Sequence, residues 1–112
     1  MHTALVCDSD NAFREQLKAA LLKLGFRTVL LCSSRDEALE LAVEHLPQLT
    51  VLEAAAPIQG LTLAATLQNH LATMTLLTVT PGDRPLLKQA ATHQIDGFLA
   101  KPSLPSELPL AV

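Results

Sequence analysis

The length, composition and charge of the chain limit it to one globular domain without a nucleic-acid or membrane surface. Its 112 residues are 49% hydrophobic and 17% charged, which is enough for one buried core and too little for two. A net charge of −3 and only three aromatic residues, all Phe, give no basic or base-stacking face, so we expect no direct nucleic-acid binding. No apolar run approaches the roughly 18 residues of a spanning helix, and no signal-peptide pattern is found. These features predict a cytoplasmic protein with no membrane partner.

The first predicted unit is a strand followed by a helix. Residues 3–7 form a continuous apolar run, typical of a strand that is covered on both faces. The polar residues 8–11 can cap the following helix, and Gly25 stands where its C-terminal cap belongs. The apolar side of this helix recurs at three- and four-residue spacing, at Phe13, Leu17, Leu21 and Leu24.

A second unit has the same order. Residues 27–32 predict a strand. Ser34, with Glu37 three positions later, matches a capping box at the start of a helix that Pro47 closes.

The two cysteines of the chain, Cys7 and Cys32, fall in the two strands just described. A single pair of this kind is neither a zinc motif nor a disulfide framework. We interpret both as reduced packing residues.

The second half of the chain continues the alternation of strands and helices. The predicted elements are a strand at residues 49–52, a helix at about 61–70, a strand at 75–80, a turn at 81–83, a helix from Pro85 and a strand at 97–100. Strict alternation with short connections predicts an α/β fold, a doubly wound five-stranded parallel sheet with helices on both faces.

Five polar residues fall at the predicted carboxyl ends of the strands. They are Asp8 and Ser9 after the first strand, Glu53 after the third, Thr80 at the end of the fourth and Lys101 after the fifth. In a doubly wound sheet these ends meet at one edge, where ligands bind. Each residue alone also fits a structural role, as a helix cap, a strand-end hydroxyl or a solvated charge. Together, two acids, a hydroxyl and a lysine can hold a divalent cation and a phosphoryl group.

Four sequence motifs occur here in an order known from one protein family. They are LVCDSD at residues 5–10, Leu52-Glu53 with Pro57 four residues after the acid, Thr80, and FLAKP at residues 98–102. In these motifs, residues 3 to about 102 resemble the receiver domain of bacterial two-component response regulators. The resemblance implies a flavodoxin-like fold with strand order 2-1-3-4-5.

The resemblance also implies roles for the polar residues. In a typical receiver, acids after the first strand hold magnesium, an aspartate after the third accepts the phosphoryl group, and a Thr or Ser and a Lys contact it. The phosphoacceptor position falls on Glu53, and the phosphate contacts fall on Thr80 and Lys101. The family's switch aromatic falls on Phe98, and the Lys101–Pro102 peptide bond is expected to be cis.

Two substitutions distinguish this chain from a typical receiver. Glu53 carries its carboxylate one methylene further out than an aspartate, roughly 1.5 Å by bond geometry. A misplacement of about 1 Å can cost on the order of a hundredfold in rate. Ser9 replaces one of the paired acids, so we expect no cofactor, or magnesium bound only weakly by Asp8 and Glu53. The loop after Glu53 is expected to be one residue shorter than usual, and three alanines follow the acid directly.

Three functional hypotheses remain open at this point. The favoured one is a phosphorylation-incompetent pseudo-receiver without enzymatic activity, which binds a histidine kinase, an effector domain or a second copy of itself. In it Glu53 pairs with Lys101, Thr80 bonds the same carboxylate, and Phe98 is buried beside the fourth helix. The alternative is a functional magnesium-dependent receiver that takes phosphate from a histidine kinase onto Glu53 or Asp8. The third hypothesis is a small-ligand binder or enzyme. Against it, the sequence has no glycine-rich phosphate loop after any predicted strand.

The C-terminal segment is shorter than the last helix of a receiver. We expect residues 1–102 to form the receiver-like domain and residues 103–112 a truncated segment, because Pro105 and Pro109 confine any helix there to about a turn. A short or missing fifth helix leaves an apolar face open. It therefore predicts either a longer natural chain or a dimer in which a second copy covers that face.

Overall fold

Five parallel strands and three helices make up the part of the chain that the computed structural model describes, residues 2–80 and 95–101. The elements are β1 (Thr3–Cys7), α1 (Asn11–Lys23), β2 (Thr28–Cys32), α2 (Arg35–His45), β3 (Leu49–Glu53), α3 (Gly60–Gln68), β4 (Met74–Val79) and β5 (Gly97–Ala100). The strand order is β2-β1-β3-β4-β5, and all four pairings are parallel. The doubly wound, flavodoxin-like fold is thereby confirmed.

Several predictions lie outside the described residues. They are the turn at 81–83, the helix from Pro85, the Lys101–Pro102 peptide bond and the short segment 103–112. Within the described residues, a cis peptide bond joins Ala56 and Pro57.

The predicted caps of α1 are present. Asp10 precedes the helix in an extended conformation, and its carboxylate accepts a hydrogen bond from the Phe13 N–H at 3.2 Å. Leu24 ends the helix, and Gly25 follows it with φ of 108°, a left-handed conformation that glycine adopts without a steric penalty.

The capping box of α2 is present with a small change. The Ser34 hydroxyl accepts a hydrogen bond from the Glu37 N–H at 3.2 Å, as predicted. The Glu37 carboxylate accepts from the N–H of Ser33 at 3.3 Å, one residue before the Ser34 N–H that the motif specifies. Leu46 ends the helix in a left-handed conformation immediately before Pro47.

Two apolar layers cover the two faces of the sheet. On one face α1 packs against alternate strand residues, including Ala4, Val6, Leu49, Val51, Leu76 and Leu99. On the other face α2 and α3 pack against the residues between them, including Leu5, Cys7, Leu52 and Leu77. Because strand side chains alternate between faces, residues two positions beyond Val6, Val51 and Leu99 lie on the α1 face. Those residues are Asp8, Glu53 and Lys101.

The boundary of β4 differs from its prediction. The strand ends at Val79, whereas the sequence pattern placed its end at Thr80. The reason is the pairing with β5, whose last residue, Ala100, lies opposite Val79. Thr80 therefore lies one residue beyond the ladder and is exposed.

Gly60 begins α3 at a point where no larger residue fits. A Cβ there would lie 2.6 Å from the Glu53 carbonyl oxygen and 2.9 Å from the Leu52 Cβ, both of which belong to β3. We expect Gly60→Ala to lower the free energy of unfolding by about 1–3 kcal/mol, measured by urea titration, because the backbone must shift.

Gly97→Ala is the matched control for this variant. A Cβ at Gly97 would meet the Leu76 Cδ2 at 3.0 Å, and this methyl group can move. A loss at Gly60→Ala no larger than at Gly97→Ala would contradict the steric explanation.

Candidate functional site

The carboxyl ends of β1, β3 and β5 bring three charged side chains together on the α1 face. The Lys101 Nζ lies 2.9 Å from Asp8 Oδ1 and 2.8 Å from Glu53 Oε2. The three side chains are 15%, 1% and 10% exposed, respectively. One ammonium group thus bridges two carboxylates at a largely buried position, and the contact between Glu53 and Lys101 is the one anticipated from the sequence.

The ring of Phe13, on the first turn of α1, forms one wall of this site. The Lys101 Nζ lies 5.0 Å from the ring centroid, within the range of a cation–π interaction. The aromatic face therefore favours the charged form of the lysine from the side that the carboxylates leave open.

Glu53 is held by Ser9 as well as by Lys101. The Ser9 N–H donates to Oε1 at 3.0 Å, and the Ser9 hydroxyl donates to Oε2 at 3.2 Å. Burial acts against the ionised carboxylate, but the hydrogen bonds from Lys101 and Ser9 outweigh it and hold the pKa of Glu53 below 4.5. Ser9 thus serves as a donor to both carboxylate oxygens of Glu53.

Asp8 is bonded through both of its carboxylate oxygens. Oδ1 accepts from the Asp10 N–H at 2.9 Å in addition to Lys101, and Oδ2 accepts from the Thr78 hydroxyl at 3.2 Å. The backbone carbonyl of Asp8 accepts from Arg14 Nη1 at 2.6 Å. These contacts compensate for the burial of the charge and fix the orientation of the carboxylate.

Thr78 is a site residue that the sequence analysis missed. Thr80 was expected to supply the strand-end hydroxyl and to bond Glu53. The contact of Thr80 with Glu53 stays a prediction. Thr78 is buried, and its hydroxyl donates to Asp8 Oδ2. Both threonines have the parity of the α1 face, and Thr78 lies one step deeper, within β4. Of the two threonines in β4, Thr75 and Thr78, only Thr78 has this parity, which was the available signal.

The expectation that Phe98 is buried is wrong. Its side chain is 41% exposed. Phe98 lies on the edge strand β5, on the face opposite to Leu99, which packs under α1.

A second unpredicted contact joins α2 to the loop after β3. Arg35 Nη1 donates to the carbonyl oxygens of Ile58 and Gln59 at 2.7 and 3.1 Å, and lies 3.0 Å from the Thr62 hydroxyl oxygen. Gln59 adopts a left-handed conformation with φ of 51° where the loop meets α3. The guanidinium therefore connects the first turn of α2 with the segment that follows Glu53.

The donor set of the site is small for a metal ion. Within residues 2–80 and 95–101, no group of three or more His, Cys, Asp or Glu side chains could hold a metal ion. The two acids available, Asp8 and Glu53, both contact the ammonium of Lys101. In the same ranges, no helix has the length and apolar character required to cross a bilayer.

The ion pair makes the free energy of unfolding depend on pH at both ends of the scale. Because the folded-state pKa of Glu53 lies below 4.5, its contribution is present above about pH 4.5 and is lost as the pH falls through the folded value. Burial lowers the pKa of Lys101, but the bonds to Glu53 and Asp8 outweigh it and raise this pKa above 10.5. Its contribution is therefore complete below about pH 10.5 and is lost as the pH rises through the folded value.

Urea titrations between acidic and alkaline pH test this dependence, with Glu53→Gln as the comparison. We expect the difference in free energy of unfolding between the wild-type chain and this variant to shrink as the pH falls below about 4.5. A difference that stays constant through the acidic range would contradict the lowered pKa of Glu53.

Comparison with known proteins identifies the family. The family model for the response regulator receiver domain matches residues 4–112. Among solved structures, a response regulator from Chloroflexus aurantiacus is 28% identical with a TM-score of 0.83, over 97% of this chain and 92% of that chain. The REC domain of AraT, a response regulator from Geobacillus stearothermophilus, is 24% identical with a TM-score of 0.87, over 97% and 88%.

A plant protein shares the same fold. The receiver domain of the histidine kinase CKI1 from Arabidopsis thaliana, in complex with Mg²⁺, is 22% identical with a TM-score of 0.80, over 97% of this chain and 88% of that chain. No match to a curated protein is found. With a family match that spans all but the first three residues and a confirmed 2-1-3-4-5 sheet, the chain belongs to the response regulator receiver domain family of two-component signalling.

Proposed function

We propose that this chain is a receiver domain that is not phosphorylated and acts through protein–protein interaction. The observation that carries the proposal is the position of Lys101, whose ammonium bridges the carboxylates of Asp8 and Glu53 at 2.9 and 2.8 Å. This ion pair stands at the sheet edge where a typical receiver binds its cation and phosphoryl group. No enzymatic reaction is part of the proposal.

The hydrogen bonds of Glu53 support this proposal. A carboxylate that accepts a phosphoryl group needs one oxygen free to attack in line. In this site Oε1 accepts from the Ser9 N–H, and Oε2 contacts both Lys101 and the Ser9 hydroxyl. These charge-assisted hydrogen bonds stabilise the carboxylate and make its oxygens weaker nucleophiles, which raises the barrier to transfer.

The same contacts argue against a resident magnesium ion. Magnesium requires near-octahedral oxygen ligands and gives up its water reluctantly. A cation between Asp8 and Glu53 would have to displace the ammonium of Lys101, which is already charged and hydrogen-bonded to both. The residues present therefore do not fit the metal, and the proposed function involves no step that uses it.

The partners consistent with the family are a histidine kinase, an effector domain or a second copy of the chain. In the proposed function the receiver presents one fixed surface to such a partner, since the groups that would respond to phosphate are already bonded to one another. Signalling would then be controlled by the amount of the protein or by the partner, and not by phosphoryl transfer to Glu53.

The direct test is incubation with acetyl phosphate and magnesium chloride, followed by intact-mass measurement. We expect the mass to remain that of the unmodified chain. A gain of one phosphoryl group on Glu53 or Asp8 would overturn the proposal and support a functional magnesium-dependent receiver. The Ser9→Asp, Glu53→Asp variant is treated in parallel as a comparison.

A further inference from the structure

The two cysteines, which the sequence places 25 positions apart, are direct neighbours in the sheet. Cys7 and Cys32 lie opposite one another in the parallel ladder of β1 and β2 and belong to the same core cluster. Adjacent strands are about 4.8 Å apart, which is within the separation of about 4.4–6.8 Å that a disulfide spans between Cα atoms. Both thiols are free.

The two thiols differ in access from solvent. Cys7 is 0% exposed, and its thiol donates a hydrogen bond to the Ser34 carbonyl oxygen at 3.4 Å. Cys32 is 4% exposed and lines an open surface pocket of about 270 Å³, together with Ser33 and residues of α1 and α2 such as Arg14 and Glu37. We therefore expect a small oxidant to reach Cys32 before Cys7.

We propose that Cys32 and Cys7 form a peroxide-sensitive thiol pair that closes into an intramolecular disulfide. The Cys32 sulfur attacks one oxygen of hydrogen peroxide and breaks the O–O bond, giving a sulfenic acid and one water. The Cys7 sulfur then displaces the hydroxyl group of that sulfenic acid, which forms the S–S bond and releases a second water. In total, two thiols are oxidised, one peroxide is reduced and two waters leave.

Disulfide formation changes the contacts at the edge of the sheet. The S–S bond ties the ends of β1 and β2 together and removes the hydrogen that Cys7 donates to Ser34, the cap of α2. Cys7 also directly precedes Asp8, the acid that Lys101 and Thr78 bond. The pair is thus placed to act on the charged site independently of phosphorylation, so the inference goes beyond the proposed function.

Treatment of the folded, reduced protein with hydrogen peroxide tests the proposal. Remaining thiols are blocked with N-ethylmaleimide, and the intact mass is measured. We expect the intact mass to fall by the mass of two hydrogens, with no maleimide adduct. In a tryptic digest we expect the peptide of residues 1–14 to be linked to the peptide of residues 28–35. A chain that keeps both thiols, or that forms only intermolecular disulfides or sulfonic acid, overturns the proposal.

Two single variants test the order of the steps, with dimedone present to trap sulfenic acid. In Cys7→Ser we expect a dimedone adduct on Cys32, because the second thiol is missing. In Cys32→Ser we expect the adduct on Cys7 to be lost or strongly slowed. After unfolding in urea both variants should react alike, which shows that the fold causes the difference. Equal reactivity of the two folded variants overturns the assignment of Cys32 as the first thiol oxidised.

Discussion

Replacing Lys101 with Met is expected to lower the free energy of unfolding by about 3–5 kcal/mol, the usual cost of removing one partner from a buried ion pair. The Lys101 ammonium contacts Asp8 and Glu53, whose side chains are only 1% and 10% exposed. Methionine has a similar length and packs against Phe13, so the main loss is the compensating charge. Urea titration near neutral pH, where both acids are ionised, measures the effect.

Two further variants separate charge from packing in this experiment. Lys23→Met removes an exposed lysine at the end of α1, and we expect a change within about 0.5 kcal/mol. Adding Glu53→Gln to Lys101→Met removes one of the two buried charges that Lys101 no longer compensates. The free energy of unfolding of the double variant should therefore fall by less than the sum of the two single losses. An unchanged free energy of unfolding for Lys101→Met would contradict the buried ion pair. Strictly additive losses of this free energy in the double variant would contradict it as well.

Restoring both acids of a typical receiver is expected to restore phosphorylation. In the Ser9→Asp, Glu53→Asp variant the shorter carboxylate retracts from Lys101 and the added acid supplies charge for magnesium. Since a misplacement of about 1 Å can cost on the order of a hundredfold, we expect phosphorylation by acetyl phosphate at least about a hundredfold faster than in the wild-type chain. Intact-mass measurement over time gives the rate of the variant and an upper limit for the wild-type chain.

A matched variant assigns the acceptor. Ser9→Asp combined with Glu53→Asn keeps the shape and the added acid but has no carboxylate at position 53, and we expect no phosphoryl gain. If the variant with two aspartates also stays unmodified, residues 9 and 53 do not account for the proposed loss of phosphorylation.

Most of the fold could be predicted from local patterns. The apolar run of residues 3–7, the cap at Asp10 and Gly25 after α1 each reflect a rule that acts over a few residues, so the pattern alone was sufficient. The alternation of such units then restricts the topology to a parallel sheet with right-handed crossovers. The end of β4 was misplaced because it depends on where its partner β5 stops, which is not a local property.

The site was predictable where it depends on strand ends and unpredictable where it depends on register. Glu53 is the last residue of β3 and Lys101 directly follows β5, so their meeting at one edge could be expected. The bond from Thr78 to Asp8 depends on the depth of that residue in β4, and the exposure of Phe98 depends on the packing around the edge strand β5, neither of which is a local property. The facing of Cys7 and Cys32 required the register of two strands separated by a helix, which no pattern in the sequence encodes.

The Arg35 contacts described above have a consequence for local unfolding. One guanidinium group supports the carbonyls of Ile58 and Gln59, and Gln59 in turn accepts the N–H of Leu63 in α3. We therefore expect the opening of this loop and the fraying of the first turn of α2 to be coupled, with similar hydrogen-exchange protection for the Leu63 and Ala38 amides. On this expectation, a partner that binds the start of α2 would also slow the opening of the segment that follows Glu53.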